Sequence, residues 1–204
     1  MPGQTLALRA IAAFTICAIL LTSLLFVRGA ARLNDPPQKS FPDPPNDLTR
    51  VYYLSAEEKL LPLPFEAGLS SLNVFVPAPQ TKVARVHLNG PRAATVLTND
   101  NPCFYVFVGE KMDPPPHQLV RLASNKSGRE LAISVFEGRK GYAPFASDNV
   151  KLEWRMLERL RVESGQNRYL FVNYMELRPH TPLKAGEYAI IGDSITDMAT
   201  FRIK

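Results

Sequence analysis

Histidine and cysteine are scarce in this 204-residue chain, with three of the first and two of the second. Cys17 lies in an apolar N-terminal run and Cys103 in "NPCFYVFV", so the two cannot form a structural pair. The body of the chain is therefore expected to be held by its core alone. Cys103 reads as a small buried hydrophobe in a strand rather than as a nucleophile or redox thiol. His87, His117 and His180 are scattered, and neither Cys-x-x-Cys nor His-x-x-x-His occurs, which excludes the common zinc patterns. A calcium loop needs oxygen ligands at every second residue, and "DSITD" (Asp193 to Asp197) offers only a fragment of one. No strand–helix alternation of the α/β kind is present either. Glycine is outnumbered by proline, 11 to 18, which favours short strands joined by loops. A net charge of +5 is too small to nominate nucleic acid as a partner.

What is present is organised in three parts. Residues 10–27, "AIAAFTICAILLTSLLFV", carry no charge. As a helix this run spans about 27 Å, close to a hydrocarbon core of roughly 30 Å. Residues 1–32 are read as a signal anchor, with a signal peptide cleaved near Gly29 to Ala31 as the competing reading. Cys17 is preceded by Ile16 and followed by further apolar residues, which speaks against a lipid-modified cysteine. Residues 33–49 contain "NDPPQKSFPDPPND" and read as an extended proline-rich linker. The body spans residues 50–204. Over the whole chain, an apolar content of 46% against 21% charged residues is that of a globular protein rather than a disordered one. Anchor and signal peptide alike place the body outside the cytoplasm, in the cell envelope or secreted.

The body's apolar runs are short and bounded by turn residues. "VYYL" (Val51 to Leu54) opens it, followed by "KLLPLPF" and "LNVFVP" (Leu72 to Pro77). In "KVARVHL", Val83, Arg85 and His87 alternate with Ala84, Val86 and Leu88. "CFYVFV" (Cys103 to Val108) is apolar on both faces and reads as a central strand. "HQLVRLAS" and "RELAISVF" flank "NKSG" as a hairpin. "VKLEWRMLERLRVE" (Val150 to Glu163) and "NRYLFVNYMEL" (Asn167 to Leu177) form a second hairpin across "SGQN". In its first arm Val150, Leu152, Trp154, Met156, Leu160 and Val162 share one parity, although Val150, Trp154 and Leu157 also fit a short helix. About eight or nine strands with little helix predict a mainly β protein, an antiparallel β-sandwich behind an N-terminal helix.

Three stretches carry a family resemblance: "RVYYLSAEEKLLPLP", "VARVHLNGPRAATVLTNDNPCFYVFV" and "LRPHTPLKAGEYAII". Together they resemble uncharacterised bacterial secreted and envelope β-domain proteins with an opening "vYYl…l.pL", a middle "G..A…P.FYv" and a closing "L.PGEYAl". The resemblance covers most of Arg50 to Ile191 and implies a β-rich extracytoplasmic domain, with no catalytic residue attached to it. At the end the chain departs from the pattern, with "ATFRIK" where similar proteins have a Phe-rich strand containing a glycine.

"GDSIT" (Gly192 to Thr196) resembles the nucleophile block of the GDSL-type ester hydrolases. A serine hydroxyl needs a base within hydrogen-bond reach, and the family's Asp-x-x-His is absent. The residues three positions before the histidines are Ala84, Pro114 and Leu177. The phrase is better read as a strand ending at Ile191 and running into a turn.

The basic residues Arg155, Arg159, Arg161 and Arg168 concentrate on the second hairpin and form a candidate patch for an anionic partner. The competing reading is a solvated strand face interleaved with Glu153, Glu158 and Glu163. The expected function is that of a non-enzymatic envelope domain, membrane-tethered or secreted, which acts by protein or envelope contact without cofactor, metal or nucleic acid. The alternative is a glycan- or lipid-binding module using Tyr52, Tyr53, Tyr142, Trp154 and Tyr169. An ester hydrolase using Ser194 is the third reading.

Overall fold

Prolines and turn residues cut the apolar runs into short pieces, and most of the described pieces pair as strands. The computed structural model describes residues 40–71, 81–136, 142–164, 169–192 and 197–204. Its strands in chain order are β1 (Tyr52–Leu54), β2 (Leu60–Pro62), β3 (Phe65–Ala67), β4 (Leu69–Ser71), β5 (Thr81–Asn89), β6 (Val96–Leu97), β7 (Phe104–Gly109) and β8 (Gln118–Ser124). They continue as β9 (Gly128–Phe136), β10 (Tyr142–Pro144), β11 (Asn149–Val150), β12 (Leu152–Glu163), β13 (Tyr169–Pro179), β14 (Gly186–Ile191) and β15 (Asp197–Ile203). No helix occurs among the described residues. Fifteen strands exceed the eight or nine expected, because pieces of two or three residues fall below the length at which alternation can be read. The apolar run 10–27, "LNVFVP", Arg168 and Ser194 lie outside the described residues.

The first sheet has the order β12-β13-β7-β1-β2, every pair antiparallel. The run "FYVFV" is central in it, as its two apolar faces require. The second follows the path β3-β15-β14-β8-β9-β5-β4, with β10 on β9, β11 on β8 and a short parallel pairing of β6 with β15. "NKSG" does turn β8 into β9. The Asn125 carboxamide oxygen accepts from the Ser127 N–H at 2.9 Å, the Ser127 hydroxyl at 2.7 Å and the Gly128 N–H at 3.0 Å. Only Ala123 with Glu130 and Ser124 with Arg129 pair across it before the arms part. From there β8 runs beside β14, and β9 pairs with β5 along its whole length.

This parting creates two cores. Phe104, Val106, Met175 and Leu177 of the first sheet meet Leu119, Tyr188, Ile190 and Phe201 of the second in one cluster. Val86, Leu88, Leu131 and Ile133 meet Val120, Leu122, Ala189, Ile191 and Met198 in another. Strand β14 therefore sends Tyr188 and Ile190 into one core and Ala189 and Ile191 into the other, which is why "YAII" is apolar throughout. The terminal "ATFRIK" forms most of β15, with Met198 to Phe201 buried. It serves as a core strand.

A buried ion pair ties the second core to its margin. Arg129 is 1% exposed, and its guanidinium holds Glu66 through two bonds of 3.2 and 2.5 Å. The same group donates to the carbonyls of Gly90 and Asn89, each at 3.0 Å, and Thr200 donates its hydroxyl to Glu66. Gly90 has φ +77°, a left-handed turn conformation that turns its carbonyl toward this arginine.

The compact unit built from these sheets runs from Pro42 to Lys204, and Met1–Phe41 forms a separate unit. Residues 42–49, expected within the linker, thus belong to the same unit as the sheets. Tyr174 donates its hydroxyl to the Pro42 carbonyl at 3.1 Å, and Tyr52 donates to the Asp47 carbonyl at 2.7 Å.

Candidate interaction surface

The long hairpin of β12 and β13 is the most exposed apolar feature of the body. Five of the nine exposed large apolar side chains among the described residues sit on it: Trp154, Met156, Tyr169, Leu170 and Phe171. It is strand throughout its described length, so the short-helix alternative for residues 150–157 does not hold.

Its register corrects the expected single parity. Trp154 faces Leu177 and Met156 faces Met175, on the core side. A bulge between Met156 and Glu158 then places Leu157 out of step. Because side chains alternate strictly along a strand, one extra residue exchanges the faces of everything that follows. Leu160 now faces Val172 and Val162 faces Leu170, on the side opposite Trp154 and Met156. Arg159, Arg161 and Glu163 take the side shared with Asn173, Phe171 and Tyr169.

The predicted basic patch is divided by this flip. Arg155 precedes the bulge and lies on the outer face, opposite Glu176. There Glu176 accepts from Arg155 at 3.1 Å and from Arg178 at 2.8 Å. Burial works to raise the Glu176 carboxyl, but the bonds and charges of Arg178 and Arg155 outweigh it and hold the group below its ordinary range. Arg159 lies on the other face, paired with Glu110 and stacked on Phe171 with its guanidinium carbon 4.5 Å from the ring centroid. Arg161 stacks on Tyr169 at 3.5 Å. The described arginines are thus partly neutralised and separated, and only Arg159 and Arg161 share a surface.

Strand β7 stops at Gly109, opposite Val172, so the hairpin beyond that point is a two-stranded ribbon. One face of the ribbon is aliphatic, with Leu160, Val162, Leu170 and Val172. The other carries the two arginine–aromatic stacks. Leu170 is 57% exposed and continues into Tyr169 and Phe171, both also exposed.

The aromatic candidates do not converge on one concave face. Tyr52 and Tyr53 point to opposite sides of the first sheet, Tyr53 toward the core cluster and Tyr52 outward beneath residues 42–50. Trp154 stands at the sheet margin, Tyr169 on the ribbon, and Tyr142 in β10. Cys103 is buried, and burial pushes its thiol up to about 11, which leaves it protonated and poorly nucleophilic near neutral pH. Among the described residues no three His, Cys, Asp or Glu side chains gather as a metal site.

No protein-family model, curated protein or solved structure matches this chain.

Two arrangements escaped the sequence. His117 sits beside Gly192, where β14 leaves the sheet; a Cβ at Gly192 would stand 3.4 Å from its Nε2. Both line a cleft of about 480 Å³ with Arg50, Phe65, Phe107 and Asp197. Residues 117 and 192 are far apart in the chain, and no local spacing could have joined them. The second is the row of aromatic rings on the outer face of the first sheet. Its clue was "FPDPPND", whose half-buried prolines read as free linker only while nothing was known to lie beneath them.

Proposed function

We propose that this chain is a non-enzymatic envelope domain, tethered to a membrane or exported, which acts by contact with another protein of the envelope. Its body is a sandwich of two antiparallel sheets, deepened by the fold-back of β5 and β9. The observation that carries the reading is the β12–β13 ribbon, which gathers Tyr169, Leu170 and Phe171 in exposed positions beyond the end of β7. An apolar surface of this kind, bordered by arginine–aromatic stacks, has the composition of a contact site core. The charge-free run at residues 10–27 supports the tethered location.

The test is site-specific photocrosslinking of the full chain in its native envelope. A crosslinker at position 170 or 171 is expected to give one discrete protein adduct, and one at Lys126 none. Leu170→Asp should abolish the adduct formed from position 171 while leaving the thermal midpoint within a few degrees. Adducts to lipid or glycan alone would favour the binding-module alternative, and no adduct from either position would sink the proposal. Sequencing the mature N-terminus distinguishes the anchor from a cleaved signal peptide.

A further inference from the structure

The outer face of the first sheet carries a row of aromatic rings that is buried without a sheet-forming strand on top of it. Tyr174 stacks on Phe107 with centroids 4.9 Å apart and planes at 10°, Tyr52 meets Phe107 edge-on at 6.3 Å, and Tyr105 meets Tyr174 at 5.7 Å. Tyr52, Tyr105 and Tyr174 are all buried. Burial raises the pKa of each, so their hydroxyls remain protonated donors.

Across this face lies Pro42-Asp43-Pro44-Pro45-Asn46-Asp47. Residues 42–45 belong to no helix or strand, and the three prolines are half-buried. Proline fixes φ near −65° and drives the residue before it to extended conformations, so the sequence favours a polyproline II strand. Such a strand has no internal hydrogen bonds and leaves its carbonyls open to donors. Tyr174 takes the Pro42 carbonyl and Tyr52 the Asp47 carbonyl.

The spans agree. Tyr52 and Tyr174 lie two strands and two residues apart, about 12 Å on the diagonal of a sheet. Five polyproline steps cover about 15 Å. At the far end Asp47 locks the strap, accepting from the Thr49 N–H at 3.0 Å, the Thr49 hydroxyl at 2.6 Å and Arg50 Nε at 3.0 Å.

We infer that the Tyr52–Phe107–Tyr174 face is a binding site for proline-rich extended peptide, kept filled by the chain's own residues 42–47. Aromatic rings take the proline faces, and tyrosine hydroxyls read the carbonyls, which is how grooves select polyproline II strands. The resident strap acts at an effective concentration near millimolar, so a peptide in trans must compete with it.

The probe is a labelled synthetic peptide of residues 40–48, added to the full chain and to the full-length variant P42S/P44S/P45S. The variant is expected to bind it saturably, the wild type about tenfold more weakly or less. Tyr174→Phe in the variant should weaken binding about three- to tenfold through the lost hydrogen bond. Absence of binding to the folded variant, or equal binding of a peptide with serines for prolines, overturns the inference. Should the triple variant not fold, hydrogen exchange of fragment 42–50 decides the matter in the otherwise native chain. Y52F/Y174F should speed it about tenfold with β14 unchanged, and an unchanged rate overturns the inference.

Discussion

Replacing Arg129 tests whether the second core depends on its ion pair. In Arg129→Met the apolar stem is kept while the guanidinium is lost. The carbonyls of Asn89 and Gly90 lose donors at 3.0 Å; Asn89 is exposed and Gly90 half-buried, so each loss falls toward the low end of the roughly 1–3 kcal/mol that an unsatisfied buried acceptor costs. Glu66 loses two bonds but keeps the Thr200 hydroxyl, and its side chain is 26% exposed, so water relieves part of its charge. Breaking a buried pair from one side typically costs about 3–5 kcal/mol, and the exposure of Glu66 argues for the lower half of that range. The assay is urea unfolding of the full chain at neutral pH, with the slope compared to exclude a change in compactness. A midpoint shift worth about 3–4 kcal/mol is expected. Arg129→Lys should recover little, because a single ammonium cannot reproduce the fork that meets Glu66 and two carbonyls together. The double variant R129M/E66Q should be less destabilised than the sum of the single variants, since no stranded charge remains. A loss below about 1 kcal/mol in Arg129→Met would refute the reasoning, because it would mean the carbonyls and Glu66 find other partners at no cost.

Gly128→Ala should destabilise by about 1–3 kcal/mol, since its Cβ would fall 2.6 Å from the Leu88 carbonyl oxygen, a backbone atom that cannot step aside; Gly109→Ala, with nothing within 4 Å, is the control and should stay within about 0.5 kcal/mol. Glu176 is held below its ordinary pKa, so its contribution to stability is complete above the unfolded value of about 4.3 and is lost as pH falls through the lower folded value. The unfolding midpoints of wild type and Glu176→Gln should therefore differ at pH 7 and converge below about pH 4, and a gap independent of pH would contradict the ion-pair origin.

The mainly antiparallel β character was legible because alternation and turn chemistry are local. "NKSG", "KVARVHL" and the central "CFYVFV" needed nothing beyond their own neighbours, and the end of β14 at Ile191 followed from "GDS" alone. The pairing of β9 with β5 was not legible, since its partners lie far apart in the chain and any strand with an apolar face offers the same pattern. The faces of β12 were misread for a different reason. Leu157 is one more apolar residue in a run that is consistent with a single parity, and only the register against β13 reveals it as the bulge. The contacts of residues 42–47 with the sheet were not legible either, because composition describes how proline-rich chain behaves in solvent, whereas Tyr52 and Tyr174 supply it with donors.

The charges of β12 follow from its position. As the end strand of its sheet, β12 leaves one edge unpaired along its twelve residues, with alternate residues offering their backbone groups to any extended chain. Six of the twelve are charged, and before the bulge they face opposite charge directly, Glu153 against Arg178 and Arg155 against Glu176. The bulge at Leu157 twists the edge and interrupts the ladder a second chain would need. Two arginines of the expected patch already meet carboxylates, Arg155 sharing Glu176 with Arg178 and Arg159 paired with Glu110, which suits edge protection. Beyond Gly109 the ribbon turns aliphatic on one face and aromatic on the other, and neither face is needed by either core. The edge of β12 is thus guarded by charge and bulge, while Leu170 and Phe171 stand exposed on the ribbon.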